Sequence, residues 1–386
     1  MKKKILMTAT VLVHFAQFYR PFITWLSECG YEVHIAARND LKNRPEMIPE
    51  NIKLHDIPFE RSPLGRGNIK AYRELKKIIK ENDYEIIHCN TPMGGIVTRL
   101  AARAAKSGAR VIYTAHGFHF YKGAPMLNWL VYCPIEWLFS YMTDTLITIN
   151  KEDFAFAKKH LHAKNIEYIN GVGVDVGKIE AFVPDKEQKL KELGVSEGKK
   201  VILSVGELNG NKNHRTVLRA VASMKTDEVY LICGEGEKRE ALKSLASELG
   251  IADRLILPGF RTDVKEIYKC CDIFAFPSFR EGLPVSLIEA MASGLPAVCS
   301  DIRGNNDLIE DGEGGYLVSP EDSDAFKNAI EKILNNESIY EDMSRRNIEK
   351  AREFGFDNVL KKLTAVYFGG EGAENGRENQ YNSACV

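Results

Sequence analysis

Short apolar runs rich in β-branched residues alternate with longer amphipathic stretches along most of this chain. That rhythm is the pattern of parallel strands buried on both faces and covered by crossover helices. Ile5–Met7, Val33–Ala36, Ile86–Cys89, Val111–Thr114 and Leu146–Ile149 read as strands of one sheet, with helices over Phe15–Glu28, Ile69–Glu81 and Gly94–Ser107 between them. A second series comprises Val201–Val205, Val229–Cys233, Leu255–Leu257, Ile273–Phe276 and Ala297–Cys299, with helices such as Arg239–Leu249 and Val285–Ser293. With 386 residues the chain exceeds what one hydrophobic core usually supports, so the two series predict two doubly wound α/β domains in tandem.

The boundary is expected near Asn170-Gly171-Val172-Gly173-Val174-Asp175, where glycines interrupt the apolar pattern. The expected organisation is an N-terminal domain over 1–170, a linker over 171–198 and a second domain over 199–352. A C-terminal helix over 353–368 returns to the first domain, and a Gly-, Glu-, Asn- and Ser-rich tail over 369–386 has too little to bury to be ordered. A hinge at the boundary lets two lobes close on a ligand.

Charge and composition remove several functions. Lys and Arg number 52 against 53 Asp and Glu, so there is no general electrostatic case for nucleic acid. The balance conceals an asymmetry: residues 1–182 hold 25 basic and 18 acidic side chains, a charge of +7, and the remainder carries −8. No uncharged run reaches the roughly 18 apolar residues of a spanning helix. Lys2-Lys3-Lys4 followed by Ile5–Val13 has the outline of a signal peptide, but it runs into His14, Gln17 and Arg20 with no small-residue cleavage site, and reads as a first buried strand. Eight cysteines without a C-x-x-C pair read as reduced cytosolic thiols.

The segment from Pro277 to Pro296 carries the chemistry. It follows an apolar strand, turns at Gly282 and enters a helix with Pro284 placed where a first-turn proline removes no hydrogen bond. In an open α/β sheet the carboxyl end of a strand is where ligands bind. The free amides of Val285 and Ser286, with Gly282 and Leu283 before them, suit a phosphate at the helix start. Glu281 before the turn and Glu289 inside the helix can then divide labour, one on a sugar ring and one on a ribose diol.

Glu281-Gly282-x-Pro284 with Glu289-Ala290-Met291-Ala292-x-Gly294-x-Pro296, then Arg303-Gly304 and Asp311-Gly312-Glu313-Gly314-Gly315, resembles the signature of family-4 retaining glycosyltransferases. Gly206-x-Leu208-x-x-x-Lys212-Asn213, Gly234-Glu235-Gly236, Gly259-Phe260-Arg261 and Cys271–Ser278 fall in the matching order. In the first half, Thr114–Phe120, Asn128-Trp129-Leu130, Pro134-Ile135-Glu136, Thr143–Asn150, Arg61-Ser62-Pro63 and Ile69–Tyr72 are similar to enzymes that build bacterial exopolysaccharide, capsule or lipid-linked oligosaccharide. The resemblance implies the GT-B fold, two Rossmann-like doubly wound domains facing across a cleft. It also implies a nucleoside diphosphate sugar as donor, most naturally a uridine one.

Carried over residue by residue, the resemblance makes Glu281 the contact to the transferred sugar near its anomeric centre, and Glu289 the acceptor of hydrogen bonds from the ribose. Lys212 neutralises the diphosphate. The backbone around Gly259, Phe260 and Arg261 holds the base edge, and His116 faces the donor sugar. No metal and no cofactor are implied, the nucleotide sugar being a substrate. Glu207 stands where most members carry arginine, and Arg303 is the expected replacement cation, ahead of Arg261. Ala9–Phe15 stands where a glycine-rich loop is usual, which makes His14 an acceptor-side candidate, with Asn90 and Thr91 at the next strand end. His119 reads as structural.

Lys70, Arg73, Lys76, Lys77 and Lys80 concentrate positive charge on one helix, with Arg61 and Arg66 before it. With the aromatic segment Trp129–Tyr141 they suit peripheral contact with the inner membrane, on its cytoplasmic face. The expected activity is transfer, with retention, of a sugar from a nucleoside diphosphate to a lipid-linked glycan in surface polysaccharide synthesis. A sugar-nucleotide epimerase or hydrolase of the same fold, or a non-catalytic nucleotide-sugar-binding partner, is the alternative.

Overall fold

The computed structural model describes residues 3–42 and 44–369; the tail expected over 369–386 lies outside them except for Gly369. The chain divides into two compact units, one joining residues up to Val172 with those from Val359 onward, the other running Gly173–Asn358.

The first unit holds seven parallel strands: β1 (Lys4–Val11), β2 (Glu32–Arg38), β3 (Lys53–Asp56), β4 (Tyr84–Asn90), β5 (Arg110–Ala115), β6 (Thr145–Thr148) and β7 (Asn165–Tyr168), in the order β3-β2-β1-β4-β5-β6-β7. The second holds six: β8 (Val201–Val205), β9 (Val229–Cys233), β10 (Leu255–Gly259), β11 (Ile273–Phe276), β12 (Ala297–Ser300) and β13 (Gly315–Val318), ordered β10-β9-β8-β11-β12-β13 and all parallel. In each sheet the order reverses once, between β1 and β4 and between β8 and β11. A crevice opens outside the strand ends at such a reversal, because successive crossovers leave in opposite directions.

Central strands are buried along nearly their whole length, which is why they read as continuous apolar runs. The edge strands β3, with sequence KLHD, and β7, with NIEY, are partly exposed and carry polar residues, so no apolar run announces them. β13 also goes unannounced: its first residue is Gly315, pressed so closely on Ala297 of β12 that a Cβ would collide with the Ala297 carbonyl.

Two expectations are corrected, and the return of the last helix to the first unit is seen. The single helix over Phe15–Glu28 is two, Val13–Phe18 and Arg20–Glu28, because Pro21 supplies no amide in the first turn of the second. Tyr19 sits in the break with its side chain buried. Of the segment expected as a linker, 171–198, all from Gly173 onward belongs to the second unit and includes the helices Val176–Ala181 and Lys186–Glu192. The final helix, Phe356–Phe368, crosses the boundary between the units, and its last turns pack within the first: Tyr367 donates to or accepts from His88 at 2.5 Å and lies edge-on to Phe22.

Candidate active site

The second unit assembles its polar cluster at the β8/β11 reversal. The loop after β8 begins at Gly206, whose carbonyl packs so tightly on Gly234 that a Cβ there would overlap it. Gly236 is pressed in the same way on the Leu208 carbonyl. These approaches fold the loop back, and it ends at Asn213, held in the left-handed region at φ 53°. Asn213 is buried; its Nδ2 donates to the carbonyls of Pro277 at 3.0 Å and Pro320 at 2.7 Å, and its Oδ1 accepts from Thr216 at 3.2 Å. Asn211 donates to the Arg280 carbonyl at 3.0 Å, and its own carbonyl accepts from the Phe279 amide at 2.8 Å. The loop bearing Lys212 and the loop bearing Glu281 are thus stitched into one piece.

That stitching sets Lys212 Nζ 2.8 Å from Glu281 Oε1 and 4.5 Å from the centre of the Phe276 ring. Glu281 leads through Gly282, Leu283 and Pro284 into the helix Val285–Ala292, with Pro284 as its cap and Val285 and Ser286 as its first residues. Gly304, at φ 83°, presses on the Gly282 carbonyl, and Arg303 Nε donates to the Glu281 carbonyl at 3.3 Å. Buried Arg303 therefore braces the loop from beneath, a structural duty besides any charge it supplies. Glu289 is half-buried in the helix, and desolvation pushes its carboxyl above the ordinary range, with Lys265 and the Tyr268 hydroxyl pulling it back.

Gly259, at φ 86°, ends β10 with Glu235 against it, and Phe260 is exposed. Arg261 does not point free: its guanidinium is bound by Asp263 at 2.7 Å and by Glu192 at 2.6 Å. Asp263 is itself held by Lys189 at 2.8 Å. The Arg261 side chain is thus committed to ion pairs within the second unit. Glu207 is exposed and receives the Asn209 amide at 3.0 Å, while Asn209 Oδ1 caps the Lys212 amide at 3.0 Å. Asp322-Ser323-Asp324 is the one Asp-x-Asp triplet in the chain, and Asp322 is spent capping the helix Ser323–Leu334 through the Ala325 amide at 2.8 Å.

In the first unit a second cluster forms at the β1/β4 reversal. His14 follows β1, Asn90 and Thr91 close β4, and His116 follows β5. Thr91 adopts φ 61°, a costly conformation for a β-branched residue. Its Oγ1 accepts from the Thr10 amide at 3.0 Å and lies 2.8 Å from the Thr10 hydroxyl, which repays part of that strain. His116 Nε2 lies 3.1 Å from Asn90 Oδ1 and 3.5 Å from the Tyr19 hydroxyl. The His14 ring stands edge-on to His116 at 4.8 Å. Asn90 is fully buried, and His14 Nε2 is sealed from solvent, so both expected acceptor contacts look inward in this conformation; His116 is half-buried. Burial holds His116 down to about 4 and, with the neighbouring imidazoles, keeps His14 well below its usual range.

Sequence reasoning missed Tyr19, Thr10, Asn211 and Phe276. Phe276 and Asn211 fall inside the quoted motifs Cys271–Ser278 and Gly206–Asn213 without a role of their own there, and Tyr19 and Thr10 lie in no quoted motif.

Two doubly wound parallel units, with a lysine and carboxylate paired at the strand reversal of the second, define a GT-B glycosyltransferase. Residues 185–354 match the family model described as glycosyl transferases group 1, and residues 4–150 match that described as glycosyl transferase 4-like. EpsD of Bacillus subtilis (strain 168), named as a candidate glycosyltransferase, is 38% identical over 374 residues, 95% of this chain and 97% of its own. The UDP-Gal:alpha-D-GlcNAc-diphosphoundecaprenol alpha-1,3-galactosyltransferase of Escherichia coli is 30% identical over 306 residues, 78% of each chain. Among solved structures, HepE of Anabaena in complex with UDP and glucose superposes with a TM-score of 0.78 at 19% identity, covering 94% of this chain and 99% of that one. The chain belongs to the group 1, 4-like glycosyltransferases and is a glycosyltransferase.

Proposed function

We propose that this enzyme transfers a sugar, with retention, from a uridine diphosphate donor held by the second unit to a hydroxyl of a lipid-linked glycan held by the first. The observation that carries the reading is the Lys212–Glu281 pair at 2.8 Å, placed where the β11 loop enters a helix. The Lys212 ammonium and the helix-start amides of Val285 and Ser286 suit a diphosphate leaving group, so no metal is required to neutralise it. Glu281 is then the contact to the transferred sugar, and Glu289 the ribose acceptor. Incoming acceptor oxygen and departing phosphate share one face of the sugar, and a phosphate oxygen takes the hydroxyl proton. The uridine donor and the polyprenyl diphosphate in the Escherichia coli relative's name, and the UDP bound to HepE, support the choice of substrates.

The same reading places the enzyme at the membrane surface. Among the described residues no helix is long and apolar enough to cross a bilayer. The helix Met126–Ser140 nevertheless leaves Met126, Leu127, Leu130, Val131, Trp137, Leu138 and nearby Tyr141 exposed, Met126 at 72% and Leu130 at 68%. Its opposite side is anchored by Glu136, buried against Arg99 at 3.2 Å. Lys70 and Lys77 of the helix Gly67–Glu81 are exposed as well. An apolar strip accompanied by basic charge suits an anionic lipid surface.

The test is transfer from radiolabelled uridine and guanosine diphosphate sugars into the lipid-extractable fraction of the host's membranes, with Glu281→Gln alongside. Label entering lipid from a uridine donor with the wild type alone is the expected result. Free sugar or an altered nucleotide sugar, with no labelled lipid, overturns it.

A further inference from the structure

Asn90 has no route to a ligand except through a neighbour. It is fully buried at the end of β4, where it pairs in register with Thr114 of β5, and its Oδ1 lies 3.1 Å from His116 Nε2. With Oδ1 turned to the ring and Nδ2 sealed in without a partner, the amide oxygen accepts, and this contact places the proton of the neutral ring on Nε2. The Tyr19 hydroxyl, 3.5 Å from the same nitrogen, adds a second polar group on that side. Among the described residues His116 Nδ1 has no hydrogen-bond partner, and it is not among the atoms sealed from solvent. The ring is therefore gripped by one nitrogen and open at the other.

The surroundings keep it neutral. His14, from the helix Val13–Phe18, stands edge-on at 4.8 Å; Tyr19 lies at 6.0 Å, and His88 of β4 lies behind Tyr19 at 5.9 Å. No carboxylate contributes to the charge felt by His116, so nothing stabilises an imidazolium there. His88 is fixed separately, between the hydroxyls of Tyr367 at 2.5 Å and Thr114 at 2.7 Å.

We propose that Asn90 is a positioning residue that fixes His116 as its Nε2–H tautomer, so that Nδ1 presents a lone pair to a hydroxyl of the sugar bound there. The proposal rests on the reading of His116 as a sugar contact. It deepens that reading, because a lone pair selects what it can meet. A hydroxyl donates to it; the carboxylate of a uronic acid has no proton to give and meets electron density instead. The site accordingly takes a neutral, hydroxyl-bearing sugar at this position.

The experiment uses the full-length protein labelled with 15N-histidine, with the His116 ring signals identified by their loss in His116→Gln. The wild type at pH 7 is expected to show the Nε2–H tautomer. Asn90→Ala is expected to give a mixture of tautomers and about a tenfold fall in kcat/KM. The isosteric Asn90→Asp places a carboxylate against Nε2–H and is expected to raise the acid limb of the pH profile by at least one unit. An Nδ1–H tautomer in the wild type, or an Asn90→Asp profile that does not move, overturns the assignment, and neither result needs Asn90→Ala to fold. Absence of sugar transfer by a wild type that shows the Nε2–H tautomer counts against the substrate reading and leaves the role of Asn90 intact.

Discussion

Lys212 and Glu281 meet at 2.8 Å with their side chains only 18% and 14% exposed, so one ammonium serves both the carboxylate and the place where a diphosphate would bind. The two anions compete for it. Glu281→Gln removes the competitor: UDP should bind at least as tightly as to the wild type while turnover falls by about two orders of magnitude or more. Lys212→Met should weaken UDP binding roughly tenfold to a hundredfold, as loss of a charge-assisted bond does. Calorimetric titration with UDP, beside transfer rates, separates the two effects.

Gly304→Ala should act on the same loop from below. A methyl group there collides with the Gly282 carbonyl, and the φ of 83° is strained for alanine. The loop carrying Glu281 has to shift, so donor KM should rise severalfold with a stability loss of about 1–3 kcal/mol. Gly210→Ala, where a Cβ meets nothing within 4 Å, is the control. Denaturant midpoints and donor titrations check both.

Acid should weaken the first unit. Burial holds His88 down to about 3 and His116 to about 4, against 6.5 for a free imidazole. Above pH 6.5 both rings are neutral in the folded and unfolded chain, and stability is full. As pH falls below 6.5 only the unfolded chain takes up protons, so stability is lost progressively toward pH 3–4. At pH 5 the loss is about 2 kcal/mol per ring. Urea unfolding at pH 7 and pH 5 measures it, and His88→Gln should flatten the slope.

Leu130→Glu places a charge in the exposed strip of the helix Met126–Ser140. Sedimentation with anionic vesicles should fall severalfold at low salt, with the melting temperature nearly unchanged, because the side chain is 68% exposed. Unaltered sedimentation would remove this helix from the membrane contact.

Most of the architecture was legible because parallel strands buried on both faces must be apolar along their length, as Val201–Val205 and Val229–Cys233 are. The edges were illegible for the same reason: Lys53 and Asp56 of β3 have water beside them and no need of apolar neighbours. Glu281, Glu289 and Lys212 were legible through a local motif, since each stands at a fixed distance from a turn glycine or helix start. Tyr19 and Asn90 were harder. Their partner His116 lies 97 and 26 residues away, a relation made by sheet order and not by spacing. The side-chain partners of Arg261 were illegible too, because Glu192, which binds it, lies 69 residues earlier, on the helix Lys186–Glu192.

The first unit is discontinuous, and synthesis runs in one direction. Seven strands leave the ribosome by Tyr168, yet Tyr367, which closes over His88, and the Lys362 that reaches Asn170 at 2.9 Å arrive only after the whole of the other unit has been made. The nucleotide-binding half can therefore finish folding while the older half still waits for its last helix. A chain that stops at residue 358 has the whole of the second unit, and its His88 lacks the Tyr367 partner. Completion of the amino-terminal half thus waits on a helix made after the other half.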